Sequence, residues 1–220
     1  MAPEQDRTKT WNFDEYDGLD RYDRQMRASR RLCYEEALRR LPECAAAKPG
    51  DLVLDIGTGT GNSAEPFLAL GCRVVGLDPS ERMLKQAEAK EERWPGLFSV
   101  QHVDDPFLRI PFGDGTFDAV VSAYAIHHLD DEAKQRAVRE MKRVLKPGGR
   151  IAIADTMFRD AAHKAETLKS DGEWEDEYQP LLNAFPGMFE AEGLAATLHQ
   201  VGEFVWILIA QVRTASKAAK

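Results

Sequence analysis

No apolar run in the 220-residue chain approaches the roughly 20 residues that a helix needs to cross a bilayer. The first ten residues, Met1 to Thr10, are polar and contain no signal-peptide core. Both absences place the expected location in the cytoplasm, away from membranes. Cysteine is scarce. Cys33, Cys44 and Cys72 stand far apart, without the paired spacing of a zinc site or a disulfide framework, and are expected to be reduced and non-catalytic. Basic charge is also short: 29 Lys+Arg against 37 Asp+Glu give a formal net charge of −8, a field that repels phosphate backbones and makes nucleic acid an unexpected partner.

What is present suits a single folded domain. At this length, 43 % hydrophobic residues can bury one substantial core. From Asp14 to Arg40 an imperfect helical stripe (Tyr16, Leu19, Tyr22, Met26, Leu32, Ala37) predicts one or two helices before the core. Lys48-Pro49-Gly50-Asp51 is a turn, and Leu52 to Ile56 reads as a strand buried on both faces. The alternation then continues as helix 62–70, strand 73–77, helix 80–89, strand 98–103, strand 117–122, helix 131–144 and strand 150–154. Ser80 and Asp130 or Asp131 are the expected N-caps, and Lys146 to Gly149 is expected to stop one helix and launch the next strand. Near the end, segments 196–201 and 204–212 are β-prone and separated by Gly202-Glu203, which predicts a tight hairpin with an antiparallel last strand. The expected fold is therefore α/β, a Rossmann-like, mostly parallel seven-stranded sheet with helices on both faces. Its expected parts within 1–212 are a helical lid or extension (1–47), a binding core (48–155), a helical cover broken by Pro180 and Pro186 (156–194) and the hairpin (195–212), followed by a tail (213–220).

The strongest chemical signal is the buried strand that runs into Asp55-Ile56-Gly57-Thr58-Gly59-Thr60-Gly61-Asn62. Glycines let a ligand approach the backbone, and the helix opening behind them offers unpaired N–H groups. A dinucleotide fingerprint would need glycine where Asn62 stands. Asp55 would repel a pyrophosphate and attract an ammonium. The loop therefore favours S-adenosylmethionine (AdoMet) over NAD. Asp78, closing the second strand before Pro79, can accept both hydroxyls of a ribose, a role common to either ligand. After the third strand, Asp104 or Asp105 falls where an adenine amino group could be received.

D-I-G-T-G-T-G, G-L-D-P-S, F-D-A-V-V-S-A-Y-A-I-H-H-L and L-K-P-G-G-R-I-A-I-A-D, in that order, resemble the successive motifs of the class I AdoMet-dependent methyltransferases over about residues 50 to 155. A closer resemblance, through H-H-L-D-D-E-A-K, I-A-D-T-M-F and E-F-V-W-I-L-I-A, is to the YrrT-like methyltransferases. Membership would imply that AdoMet is the cofactor. Asp55, Gly57 and Gly59 would then line its methionine part, Asp78 its ribose and Asp104 or Asp105 its adenine, with Thr58, Gly61, Asn62, Pro79, Met83 and Ser122 as further cofactor-binding candidates. Ser122 would stand at the end of the fourth strand. The region after the third strand departs from the commoner G-D-A-x-x-L-P-F form.

Methyl transfer from a sulfonium is a displacement that needs alignment and exclusion of water, and it requires neither a metal nor a covalent nucleophile. The acceptor pocket should border the end of the fourth strand, where Tyr124 and His127 are the candidate catalytic residues. A second reading has His127 or His128 pack against, or cap, the helix at Asp131. Amine methyltransferases of this class often carry Asn-Pro-Pro-Tyr there, and its absence favours a small-molecule acceptor over nucleic-acid bases or protein amides. Tyr16 and Tyr22 are candidate lid residues over the donor, and Arg24 or Arg27 could meet its carboxylate. Trp174 and Tyr178 either shape the acceptor cavity or anchor the cover, while Trp206 is structural. Two other readings remain open at this level: an AdoMet or S-adenosylhomocysteine sensor, and an NAD oxidoreductase. The latter wants Lys four residues after Tyr124, where His128 stands. The oligomeric state is open between monomer and homodimer.

Overall fold

A computed structural model of the chain describes residues 19–170 and 177–212. Tyr16 and Trp174 lie outside the described residues. Two helices, α1 (Leu19–Ala28) and α2 (Tyr34–Cys44), precede the first strand, as the helical stripe predicts. Then follow β1 (Leu52–Ile56), α3 (Glu65–Leu70), β2 (Arg73–Asp78), α4 (Glu81–Glu91), β3 (Phe98–His102), β4 (Phe117–Ala123), α5 (Asp131–Val144) and β5 (Leu145–Thr156). The cover contributes α6 (Ala161–Ser170) and α7 (Phe185–Ala191), and β6 (Leu194–Gln200) and β7 (Val205–Val212) end the described chain.

The strands form one seven-stranded sheet in the order β3-β2-β1-β4-β5-β7-β6. All pairings from β3 to β5 are parallel, and β7 runs antiparallel to both of its neighbours. β1 is apolar on both sides because each side faces a core: Leu54 and Ile56 join one cluster with Val138 and Met141 of α5 and Phe185 and Phe189 of α7, while Val53 joins the other with Leu38 and Leu41 of α2 and Phe67 of α3. The chain leaves β1 for β2 on one side, and β4 pairs on the other. That divergence opens a crevice beyond the carboxyl ends of β1 and β4, where open α/β sheets place ligands.

Both predicted N-caps are formed: Ser80 Oγ accepts from Met83 N at 3.2 Å, and Asp130 Oδ1 accepts from Ala133 N at 2.8 Å. Several boundaries differ from expectation. α3 begins at Glu65 and not at Asn62, because residues 62–64 form a turn whose Asn62 and Ser63 side chains bond across the site. Lys146 to Gly149 lies within β5 and not before it. Leu145 already pairs with Phe117, and a Cβ on Gly149 would stand 2.6 Å from the Asp118 carbonyl oxygen. The terminal hairpin turns over residues 201–204 and not over Gly202-Glu203 alone, since Phe204 leaves the ladder to pack 5.7 Å from Phe158. Among the described residues no helix is long and apolar enough to cross a membrane, and all three cysteines are free thiols.

Candidate functional site

The crevice at the ends of β1 and β4 is a cleft holding about 990 Å³ of empty space, its open mouth included. One wall is the glycine turn. Gly57 and Gly59 have φ values of 72° and 54°, in the left-handed region open to glycine. The N–H groups of Gly57 and Thr58 both donate to the Leu77 carbonyl, at 2.8 and 3.0 Å, which ties the turn to β2. Gly61, also at positive φ, serves packing: a Cβ there would stand 3.2 Å from the Phe98 ring and 3.3 Å from Ala87.

Asp55 braces this turn from behind. It is fully buried and is not a wall residue. Its Oδ2 accepts from Thr58 Oγ1 at 2.7 Å and from Ser63 Oγ at 2.6 Å, while Oδ1 is buried without a hydrogen-bond partner among the described residues. Burial pushes its carboxyl up to about 6, against the lowering effect of the two hydroxyls. Asp78 does reach the wall. Its Oδ2 accepts from Gly59 N at 2.8 Å and its Oδ1 from Ser80 N at 2.9 Å, so one carboxylate fixes the glycine turn to the start of α4. Pro79 and Met83 extend this side, and Asp104 and Asp105 stand at the mouth beside the buried Phe107. Asp104, 94 % exposed at its side chain, lies 3.9 Å from His102 Nε2.

The preceding helices dock on the turn from outside. Thr60 Oγ1 donates to Asp23 Oδ1 at 2.8 Å, and Asn62 Oδ1 accepts from Lys90 Nζ at 2.5 Å and Arg27 Nη2 at 3.3 Å. The amide of Asn62 donates to the Tyr34 hydroxyl at 3.3 Å, so Asn62 anchors α1, α2 and α4 together and is not a wall residue. Tyr22 and Tyr34 line the cleft. Arg24 and Arg27 do not, and Arg27 pairs instead with Glu35.

At the β4 end the wall passes through Ala123, Tyr124, Ala125, His128 and Leu129. Tyr124 takes φ 52°, sets its ring 5.3 Å from that of Tyr34 at a tilt of 42° and donates its hydroxyl to the Leu32 carbonyl. Ser122 is buried on the far side of the strand, its hydroxyl without a partner among the described residues. His127 stands behind the wall, and His128 lines it. Nδ1 of His127 lies 2.7 Å from the buried Asp155, and its Nε2 lies 3.4 Å from Glu177. Burial opposes charge on His127, but Asp155 and then Glu177 outweigh it and raise its pKa. Burial, with His127 beside it, pushes His128 down to about 3. Tyr178, half exposed, donates its N–H to the His127 carbonyl at 2.9 Å, with Lys134 over its ring at 5.9 Å, so it anchors the cover. Trp206, in β7 and paired with Asp155, is partly buried and packs against the core.

Sequence reasoning did not single out Tyr34, Thr60, Phe107, Asp155 or Glu177. Asp155 could have been found, since it follows the predicted strand 150–154 at the sheet edge where ligands sit.

The chain matches the model of a family described as a methyltransferase domain over residues 54–153. An uncharacterized methyltransferase of Bacillus pumilus (strain SAFR-032) is 37 % identical over 192 residues, covering 82 % of this chain and 87 % of that one. The uncharacterized methyltransferase YrrT of Bacillus subtilis (strain 168) is 35 % identical over 187 residues, covering 80 % and 85 %. The solved structure of a SAM-dependent methyltransferase from Aquifex aeolicus superposes with a TM-score of 0.65 at 22 % identity, over 90 % of this chain and 100 % of that one. With this fold, this turn and these relatives, the chain belongs to the class I, Rossmann-like methyltransferases, among their YrrT-like members.

Proposed function

We propose that the protein transfers a methyl group from AdoMet to a small-molecule acceptor. The observation that carries this reading is the charge of the cleft: Asp78, Asp104 and Asp105 line it, and no lysine or arginine does among the described residues. Such a wall suits a cationic nucleoside and repels a diphosphate. Asp55, buried behind the glycine turn, adds a further carboxylate beneath that wall, at a distance where it attracts an ammonium without touching it.

The residues present fit AdoMet. Gly57 and Gly59 would let its methionine part approach the backbone, Asp78 would accept its ribose hydroxyls, and Asp104 or Asp105 would receive its adenine amino group. When bound, it supplies an activated methyl group for direct displacement. The chain's own task is to align the acceptor and exclude water: Tyr22 and Tyr34 on one side and Phe107 and Leu108 on the other close the cleft with apolar surface. The polar end beside His128 is where an acceptor heteroatom would sit.

Calorimetry with AdoMet, S-adenosylhomocysteine and NAD tests the donor. The first two should bind, and Asp78→Asn should weaken them about tenfold or more by replacing a charged acceptor. Binding of NAD alone would overturn the reading. Incubation with labelled AdoMet and panels of thiols, amines and phenols tests transfer, and donor binding with persistent absence of transfer would favour a sensor.

A further inference from the structure

We propose that His127, His128 and Glu177 form a site for a divalent transition-metal cation of the zinc class at the acceptor end of the cleft. This goes beyond methyl transfer and does not depend on the identity of the donor. Each of the three side chains offers one ligand atom, and those atoms lie within 4.8 Å of one another. His127 Nε2 is 3.4 Å from Glu177 Oε2, and His128 Nδ1 is 3.7 Å from Glu177 Oε1. Tetrahedral bonds of about 2.0–2.1 Å separate ligand atoms by roughly 3.3 Å, a spacing that both histidine–Glu177 distances approach, and side-chain rotation would draw the cluster in from its 4.8 Å limit onto an ion.

The surroundings orient the donors for this role. Asp155 is completely buried, and its Oδ1 lies 2.7 Å from His127 Nδ1. A neutral histidine whose Nδ1–H donates to a carboxylate carries its lone pair on Nε2, the arrangement that accompanies imidazole ligands to metals, and a metal ion would take the place of any proton at Nε2. Here Nε2 faces the Glu177 carboxylate, so the space between them is one that a cation or a proton fills. Asp155 and Glu177 bring two negative charges, and the nearby Lys134 ammonium is directed to the Leu129 carbonyl at 2.6 Å and to Asp131 at 3.3 Å. Two imidazoles and one carboxylate are a donor set typical of zinc sites that keep a fourth position open. His128 is itself a wall residue, so that position would look into the cleft. Glu177 belongs to the cover, so a bound ion would also fasten the cover to the end of β4.

Metal-free protein without a histidine tag is titrated with Zn²⁺ by calorimetry and with Co²⁺ by visible absorption, with no AdoMet present. About one ion per chain should bind, with the intense bands of low-coordinate cobalt. Glu177→Gln and His128→Gln should each weaken Zn²⁺ at least about tenfold, and Asp155→Asn should do so by about 10- to 100-fold through the orientation of His127. Thermal unfolding of each metal-free variant separates lost ligation from a lost fold. Zn²⁺ affinity unchanged in Glu177→Gln and His128→Gln, or absence of the cobalt bands, would overturn the proposal and leave a shared proton in the cluster. AdoMet binding, measured separately, would be untouched by that failure.

Discussion

Gly57 faces Ala125 so closely that a Cβ on Gly57 would stand 2.5 Å from the Ala125 Cβ. The turn after β1 and the loop after β4 are thereby interlocked across the mouth of the crevice. Gly57→Ala should suffer twice, from the left-handed φ of 72°, costing about 1–2 kcal/mol, and from overpacking, costing about 1–3 kcal/mol. Ala125→Gly in the same chain relieves the overlap and not the φ strain. Thermal unfolding should show the single variant well below the parent and the double variant part-way back. A double variant no more stable than Gly57→Ala would show that the two loops are not in contact through these atoms.

The buried Asp55 gives the fold a pH dependence of unusual sign for a carboxylate. Its folded pKa is raised from 3.8 to about 6, so its contribution is fully present below pH 3.8 and is lost as pH rises through 6. A rise of that size corresponds to roughly 3 kcal/mol. Asp55→Asn, which can still accept from Thr58 and Ser63, should match or exceed the parent in stability at pH 7.5 and lose that advantage towards pH 4. The same variant should bind AdoMet more weakly, because it has lost the charge that an ammonium seeks. Denaturant titrations at both pH values check the first part and calorimetry the second. A parent–variant difference that does not change with pH would show that Asp55 is ionised in the fold at no cost.

The docking of α1 on the glycine turn rests on the 2.8 Å bond from Thr60 to Asp23, with Arg27 and Asn62 beside it. Thr60→Val keeps the shape and removes the donor. A lost hydrogen bond to a charged group is worth about 1.5–3 kcal/mol, and part of it should appear as faster release of AdoMet, since Tyr22 of the same helix lines the cleft. Stopped-flow dissociation should show an increase of about tenfold for Thr60→Val, and Asp23→Asn combined with it should add little more. Full additivity of the two substitutions would mean that the pair does not act as one contact.

The legible parts of this chain were those governed by local rules. Ser80 and Asp130 announce their helices because a cap lies within three residues of its partner, and β1 is visible because both of its faces are apolar. Asp78 was legible for the same reason, at the end of a strand before a proline. Asn62 was legible as a missing glycine and as a candidate cofactor contact, not as an anchor. That its amide gathers Tyr34, Arg27 and Lys90 depends on three elements meeting in space, which no spacing reveals. Glu177 was hidden more completely. It sits in the stretch that reads only as a helical cover, and only the return of that cover onto the end of β4 brings it to the histidines. The Lys146 to Gly149 turn signal misled because Gly149 is required by its close approach to Asp118, inside a strand.

Tyr124 separates a tether from a catalyst. Its hydroxyl donates to the Leu32 carbonyl, and its ring packs on Tyr34, so the residue ties the segment between α1 and α2 to the end of β4. Tyr124→Phe keeps the ring contact and leaves the Leu32 carbonyl without its donor. Stability should fall by about 1 kcal/mol, the usual worth of one such bond. Amide exchange should quicken around residues 29–33, next to the freed carbonyl, while turnover of an acceptor changes little once the protein is saturated with AdoMet. A hydroxyl that handled the acceptor's proton would give the opposite pattern: unchanged unfolding and exchange, with a loss in kcat of about 10²-fold or more. The hydrogen bond to Leu32 favours the first pattern, because a phenol already donating to a backbone carbonyl has no second proton to offer.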